Sequence, residues 1–161
     1  MTVNDEPASI TEKLGAAVLE TVADAILVAD RQGIIRLWNP GAARIFGFSP
    51  EEAIGQPLDL IIPERLRARH ADGYDRVMET GESRYGSGDL LAVPALTRDG
   101  SQISVEFTIV PLSESGSRPT GMAAILRDVT SRFNEIRTLR RRVADLEKAP
   151  MAAVGEEGAG R

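Results

Sequence analysis

The stretch that decides the fold is "DAILVADRQGIIRLWNPGAARIFGFSPEEAIGQPL", residues 24–58. It opens with the β-rich apolar run "AILVA", passes through the turn residues "DRQG" and resumes as a second extended segment, "IIRLWN". Two extended apolar runs separated by turn-forming residues are typical of an antiparallel hairpin. The sequence therefore predicts that the fold begins with two paired strands.

The remainder of this stretch is helix-like. Pro40 suits a first helical turn and Gly47 suits a helix end, so "PGAARIFG" predicts a short helix. Ser49 before "PEE" is an N-cap signature and predicts another. Further along, "PERLRARHADGYDRVMETGE", residues 63–82, predicts a longer helix that ends near Gly81.

Residues 89–128 are dominated by β-rich sequence. Turn-rich segments at 97–102 and 113–121 divide this region into three predicted strands. Apolar and polar residues alternate along 103–110, which is typical of a half-buried antiparallel strand, and Pro111 is predicted to end it. The inner-face residues would be Ile103, Val105, Phe107 and Ile109.

Two strands, several short helices and three more strands predict an α+β fold, in which helices cover one face of a five-stranded antiparallel sheet. An amphipathic helix that begins with the capping-box sequence "SITE" is predicted before the sheet, and a helix with a heptad seam interrupted by Arg132 is predicted after it. The predicted organisation is a disordered N-terminus (1–8), a helix (9–22), the sheet domain (23–130), a second helix (131–149) and a disordered tail (150–161).

Composition narrows the functional classes. The net charge of −5 argues against nucleic acid as the main partner, and the absence of cysteine excludes disulfides and thiolate chemistry. No apolar run reaches the roughly 18–20 residues that cross a bilayer, and the acidic start is unlike a signal peptide. We therefore expect a cytoplasmic protein that binds neither nucleic acid nor membrane.

Three stretches resemble the PAS domain family: residues 24–58, "RDGSQISVEFTIVPL" (98–112) and "GMAAILRDVT" (121–130). The resemblance extends over about residues 15–130. It implies a PAS fold that holds a ligand, or only a packed core, between the sheet and the helices. It also implies a sensory or interaction module rather than an enzyme, which signals to a downstream effector protein or domain in bacterial-type two-component signalling.

The last of these stretches contains a D-x-T sequence, Asp128 and Thr130, that is similar to the exit signature of the family. We expect these two residues to cap the helix that leaves the sheet. The resemblance therefore implies that they lie on the route of signal output.

His70 is the chain's one histidine and shares a predicted helix stripe with Leu66, Tyr74 and Val77. A neutral imidazole in an apolar pocket can bind haem iron. The surrounding sequence is similar to the corresponding helix of the FixL-type oxygen-sensing haem PAS domains, which implies His70 as axial ligand and Arg76 beside a propionate. The implied cofactor-binding residues are His70, Arg76, Tyr74, Leu90, Leu91, Phe107 and Ile109.

This sequence departs from that pattern in two places. "HADGY" is one residue longer than the tightest form of the motif, and Leu90 or Leu91 stands where the oxygen sensors have a distal arginine. Leucine cannot donate a hydrogen bond to bound O₂, so an apolar distal side would favour CO or NO, or no gas sensing. The alternative is a packed His70 with no cofactor, which the sequence favours over haem. A flavin beside Trp38 and Asn39 is disfavoured, because Trp38 suits the core.

Both flanking helices need apolar partners, and a parallel homodimer would supply them. The sequence thus favours a non-catalytic PAS sensory module that acts through ligand binding, dimerisation or both. The alternatives are a haem-based gas or redox sensor and a purely structural dimerisation domain. An enzyme is disfavoured, because no pair of carboxylates falls on an inward-facing stripe. The predicted dimer interface consists of Ile10, Leu14, Val18, Ile136, Leu139, Val143 and Leu146.

Overall fold

Five helices and five strands follow one another in the computed structural model, which describes residues 7–82, 91–113 and 117–148. The elements in chain order are α1 (Pro7–Leu19), β1 (Ala25–Asp30), β2 (Ile35–Trp38), α2 (Pro40–Phe46), α3 (Pro50–Ala53), α4 (Glu64–Thr80), β3 (Leu91–Leu96), β4 (Gln102–Leu112), β5 (Gly121–Asp128) and α5 (Thr130–Lys148). A 3₁₀ turn at Leu58–Ile61 connects α3 to α4.

The strands form one antiparallel sheet in the order β2-β1-β5-β4-β3. The first strand therefore lies beside the last, with Ala25 opposite Leu126. The predicted α+β architecture is confirmed. Because β1 and β5 are neighbours at the centre of the sheet, the segment that follows α1 and the segment that precedes α5 meet at one end of this strand pair.

The core between sheet and helices has two parts. In one, Trp38 and Phe46 lie with ring centroids 5.4 Å apart, and the Trp38 Nε1–H donates to the Phe48 carbonyl at 3.0 Å. Trp38 is thus a core residue, as predicted. The inner face of β4 follows the predicted alternation, since Val105 is buried and its neighbours on that face pack against the core. Each large apolar side chain that becomes fully buried contributes roughly 1.5–3 kcal/mol. The second part of the core contains Ala29, Tyr74, Val77, Met78 and Met122.

The short helices are defined by their ends. Ser49 is the N-cap of α3, as predicted, and forms a capping box with Glu52. Gly47 ends α2 in the left-handed conformation, with φ of 82°. Gly81 ends α4 in the same way, with φ of 73° and its N–H donating to Val77. Helices of four and seven residues are too short to be stable alone, so caps and core contacts hold them in place.

The predicted start and end of the first helix are wrong. The described part of helix α1 starts at Pro7, so Ser9 lies inside the helix and not at a cap. It ends at Leu19 and not at residue 22. The carbonyls of residues 21–24 accept hydrogen bonds from side chains and backbone of α2 and of the residue before it, which holds this segment out of helical geometry.

Pro111 does not end β4, contrary to the prediction. The strand continues to Leu112, and Pro111 lies opposite Met122 of β5. In the described residues β3 pairs with β4 only as far as Phe107.

The ends of the chain lie largely outside the described residues. The predicted disordered segments fall on residues 1–8 and 150–161, of which only Pro7 and Ala8 are described, in α1. Helix α5 is described to Lys148, against a predicted range of 131–149.

Candidate functional site

Helix α4 presents its predicted apolar stripe to the core. Tyr74 and Val77 are buried, whereas Leu66 and His70 are half-buried. Four charged residues that the stripe places on other faces of α4 are exposed, as predicted, whereas Arg67 is half-buried. His70 therefore lies where α4 passes from its buried C-terminal half to its partly exposed N-terminal half. The exposed charged residues are Arg65, Arg69, Asp72 and Arg76.

The Tyr74 hydroxyl connects α4 to the end of β1 by hydrogen bonds. Its hydroxyl donates to the Asp30 carbonyl at 2.6 Å and also lies 3.2 Å from the Ala29 carbonyl. Burial, together with the nearby Asp30 charge, raises the pKa of Tyr74 to about 12. The phenol is therefore neutral at physiological pH and keeps its donor. The ring centroid of Tyr74 lies 6.0 Å from that of His70, so the two side chains are neighbours on α4.

Burial also sets the charge state of His70. Loss of solvent lowers the pKa of the imidazole, and the nearby Asp59 carboxylate opposes this only in part. The folded protein therefore holds His70 in its neutral form at physiological pH. The neutral ring is the form that coordinates a metal or a haem iron.

The depressed pKa predicts a specific loss of stability in acid. Below the ordinary histidine pKa of 6.5 the unfolded chain binds a proton that folded His70 resists. The free energy of unfolding should therefore fall as pH drops from 6.5 towards the folded-state pKa, with a slope of at most about 1.4 kcal/mol per pH unit. His70→Gln, which does not titrate, should remove this component.

Urea denaturation at several pH values between 5 and 8 measures the effect, and the difference between wild type and His70→Gln isolates it. Equal pH dependence in the two proteins would contradict the assignment. Asp24 and Asp30 do not interfere, because their pKa values are lowered below the carboxyl value of 3.8 and their titration lies below this window.

The sheet offers apolar surface that is only partly covered. Phe107 and Ile109 of β4 are half-buried, and so are Leu58, Leu60 and Ile62 in the segment that leads into α4. Of the predicted distal residues, Leu90 lies outside the described residues, and Leu91 begins β3 opposite Phe107.

The start of α5 is hydrogen-bonded into the sheet. The Thr130 N–H donates to Asp128 Oδ1 at 2.9 Å, and its hydroxyl donates to the same oxygen at 2.5 Å. The Ser104 N–H of β4 donates to Thr130 Oγ1 at 3.0 Å, and the Val129 N–H donates to the Ser104 carbonyl at 2.9 Å. Asp128 and Thr130 are thus brought together, and Ser104 joins them, which no sequence pattern indicated.

A second connection was also missed by the sequence. Arg127 of β5 forms two hydrogen bonds with the Asp24 carboxylate, of 2.8 and 2.9 Å. This hydrogen bonding is the largest influence on Asp24, and the pKa of its carboxyl is lowered as a result. The pair links the segment that follows α1 to the strand that precedes α5.

The fold and its elements agree with one family. The family model described as PAS fold matches residues 19–134. The chain belongs to the PAS family. The match covers the sheet, α2 to α4, and the first residues of α5.

Individual relatives agree with this assignment. The chain is 35% identical over 115 residues to the sensor protein FixL of Bradyrhizobium diazoefficiens. These residues cover 71% of this chain and 22% of FixL. It is 27% identical over 114 residues to the oxygen sensor protein DosP of Escherichia coli, 71% of this chain and 14% of DosP. A PAS domain of a Colwellia psychrerythraea protein has a similar structure, with a TM-score of 0.64, 29% identity, and 75% and 98% of the two chains covered.

The chain spans only part of these curated relatives, 22% of FixL and 14% of DosP. In the part of the chain that the structure describes, no helix combines the length and apolar character needed to span a bilayer.

Proposed function

We propose that this PAS domain is a non-catalytic, cytoplasmic sensory module whose ligand is haem, with His70 as the axial ligand of the iron. The observation that carries the proposal is the position of His70: a half-buried imidazole on the core-facing stripe of α4, beside Tyr74. Burial lowers its pKa, which favours the neutral, metal-binding form. The likeness of this helix to FixL-type haem PAS domains and the 35% identity to FixL support it.

The residues that the family resemblance implies for haem have suitable chemistry. Phe107 and Ile109 are half-buried apolar residues of the sheet, and Arg76 is an exposed cation six residues along α4 from His70, suited to a propionate at the solvent edge. The Tyr74 hydroxyl is not available to the cofactor, because it donates to the Asp30 carbonyl of β1. The Tyr74 ring instead lies beside His70, one helical turn away. Bound haem supplies an iron centre that binds diatomic gases or changes oxidation state.

Titration of the purified protein with hemin tests this function. We expect a saturable Soret band in the wild type and in Arg69→Ala, which changes an exposed residue next to His70. His70→Ala should lose the band or shift it, because the axial nitrogen is gone. A wild type without a saturable band, or a band that is the same in His70→Ala, would refute the haem proposal.

A second candidate function is transmission by dimerisation, with or without a cofactor. Leu14 of α1 is 61% exposed and Leu146 of α5 is 75% exposed, which is unfavourable for apolar helix faces in water. We propose that a parallel homodimer covers them and that Asp128 and Thr130 pass changes in the sheet to α5 and on to an effector. The proposed interface consists of Ile10, Leu14, Val18, Ile136, Leu139, Val143 and Leu146.

A further inference from the structure

Helix α4 is buried only along its last two turns. Its buried residues are Tyr74, Val77 and Met78, whereas residues 64–73 are all half-buried or exposed. His70 belongs to this second group. Because the first half of the helix has no buried residue, the place of His70 depends on how the last turns are held against the rest of the domain.

The side chain of Arg31 holds the end of α4 from a distant part of the chain. Arg31 is half-buried in the turn between β1 and β2. Its Nη1 donates to the Met78 carbonyl at 3.0 Å and to the Pro119 carbonyl at 2.8 Å. Pro119 is buried in the connection between β4 and β5. One guanidinium nitrogen thus joins the end of α4 to two connections of the sheet.

The Met78 carbonyl needs a donor of this kind. It is one of the last four carbonyls of α4, which have no partner within the helix. The N–H of Glu82, which would be its partner in a longer helix, donates to Thr80 Oγ1 at 3.1 Å instead. A cation also stabilises the C-terminal end of a helix, and the last turn of α4 contains no basic residue. Arg31 supplies both the donor and the charge.

Arg31 acts together with the Tyr74 hydroxyl, which donates to the Asp30 carbonyl. Two consecutive residues at the end of β1 therefore hold α4 at two points, Tyr74 and Met78, which are one helical turn apart. A helix held at one point can turn about it, whereas two points along its length fix its direction. His70 lies one turn further, about 6 Å along the same face. Its position is therefore set by both contacts.

We propose that Arg31 is a positioning residue for His70: its two hydrogen bonds fix the end of α4 so that the imidazole stays half-buried against the domain. The inference rests on the haem function proposed above and deepens it, because an axial ligand must be held in one place to bind the iron. Arg31 acts through the backbone of α4, so its role needs no contact with the cofactor.

Acylation of His70 by diethyl pyrocarbonate tests this role without haem, and the reaction is specific because the chain has one histidine. Arg31→Gln should react about threefold faster at pH 7, because α4 is released and the imidazole becomes accessible. Arg31→Lys should react at the wild-type rate, since one nitrogen makes both bonds and an ammonium group can replace it. An unchanged rate in Arg31→Gln would overturn the proposal.

Arg36→Gln is the matched control. Arg36 lies in β2 and pairs with the Asp30 carboxylate at 2.7 Å, so the same charge is removed close to Arg31. This variant leaves the hydrogen bonds to Met78 and Pro119 in place, and its acylation rate should equal that of the wild type. An equal acceleration in Arg36→Gln and Arg31→Gln would mean that charge, and not the contact with α4, is responsible, which would overturn the proposal.

Amide hydrogen exchange distinguishes a displaced α4 from a general loss of stability. In Arg31→Gln we expect faster exchange in residues 70–80 and unchanged exchange in β1 and β5. Equal acceleration in the helix and in these two strands would overturn the positioning role.

Titration with hemin connects Arg31 to the proposed function. The dissociation constant of Arg31→Gln should rise about tenfold, the equivalent of one charge-assisted hydrogen bond, whereas Arg31→Lys and Arg36→Gln should stay within about twofold. An unchanged affinity in Arg31→Gln would overturn the role of Arg31 in the haem site. A wild type that binds no hemin would refute the haem function alone, because the acylation rates, which are measured without haem, decide whether Arg31 positions His70.

Discussion

Replacing Gly41 by alanine is expected to destabilise the domain by roughly 3 kcal/mol. Gly41 lies in the first turn of α2, and its N–H donates to the Thr21 carbonyl at 3.1 Å. A β-carbon at this position would collide with the carbonyl group of Asp24, whose carbon would lie 2.6 Å away. The atoms it would meet are backbone atoms of Asp24 and Thr21, so no side-chain rotation can relieve the strain. The segment between α1 and β1 must therefore shift.

Gly73→Ala is the matched control. Gly73 also lies inside a helix, and a β-carbon there would meet nothing within 4 Å. Because alanine favours the helix over glycine, this variant should gain up to about 1 kcal/mol. Urea denaturation followed by circular dichroism gives both values. A Gly41→Ala protein as stable as the wild type would show that α2 and the connecting segment are not in the close contact described.

The elements that the sequence predicts correctly are those with local signals. The capping box at Ser49 and Glu52 and the glycine at the end of α4 each act within four residues of the chain. The alternation along β4 acts through a period of two. Such patterns depend only on residues that are close in the chain. The sequence therefore predicts the five strands and the helices from α2 to α5.

The contacts that connect these elements could not be predicted in the same way. Asp24 and Arg127 are separated by 103 positions, and Arg31 donates to the carbonyls of Met78 and Pro119 across 47 and 88 positions. No local pattern specifies such pairs. The stripe on α4 likewise predicts that His70 shares a helix face with Tyr74 and Val77. How deeply the His70 side chain is buried depends on the distance between α4 and the sheet, which no local pattern specifies.

Asn39 shows the same limit and leads to the second large expected effect. The sequence presented it as a polar residue next to Trp38, with a flavin as a disfavoured use. In the structure it is 4% exposed and fully hydrogen-bonded. Its Oδ1 accepts from the N–H groups of Ile26 and Ala42, at 2.7 and 2.8 Å. Its Nδ2 donates to the carbonyls of Thr21 and Asp24, at 3.0 and 3.1 Å.

Asn39→Asp keeps the shape of this side chain and removes its two donors. A carboxylate oxygen would then face the carbonyl oxygens of Thr21 and Asp24, in a place from which solvent is largely excluded. We expect a loss of roughly 3 kcal/mol at pH 7, since both carbonyls lose a donor and a charge is buried beside them. Asn134→Asp makes the same change at an exposed position of α5 and should stay within about 0.5 kcal/mol of the wild type.

The pH dependence of the variant separates lost hydrogen bonds from buried charge. Burial beside two carbonyl oxygens should raise the pKa of the new carboxyl above its unfolded value of about 3.9. The folded state then binds a proton that the unfolded state does not, so the stability of Asn39→Asp relative to the wild type should recover as pH falls from 7 towards 4. Denaturation midpoints at pH 7 and pH 4.5 measure this recovery. A deficit in unfolding free energy that stays constant with pH would mean that the new carboxylate is exposed to solvent. In that case residue 39 would not hold the segment from Thr21 to Asp24, which joins α1 to the sheet.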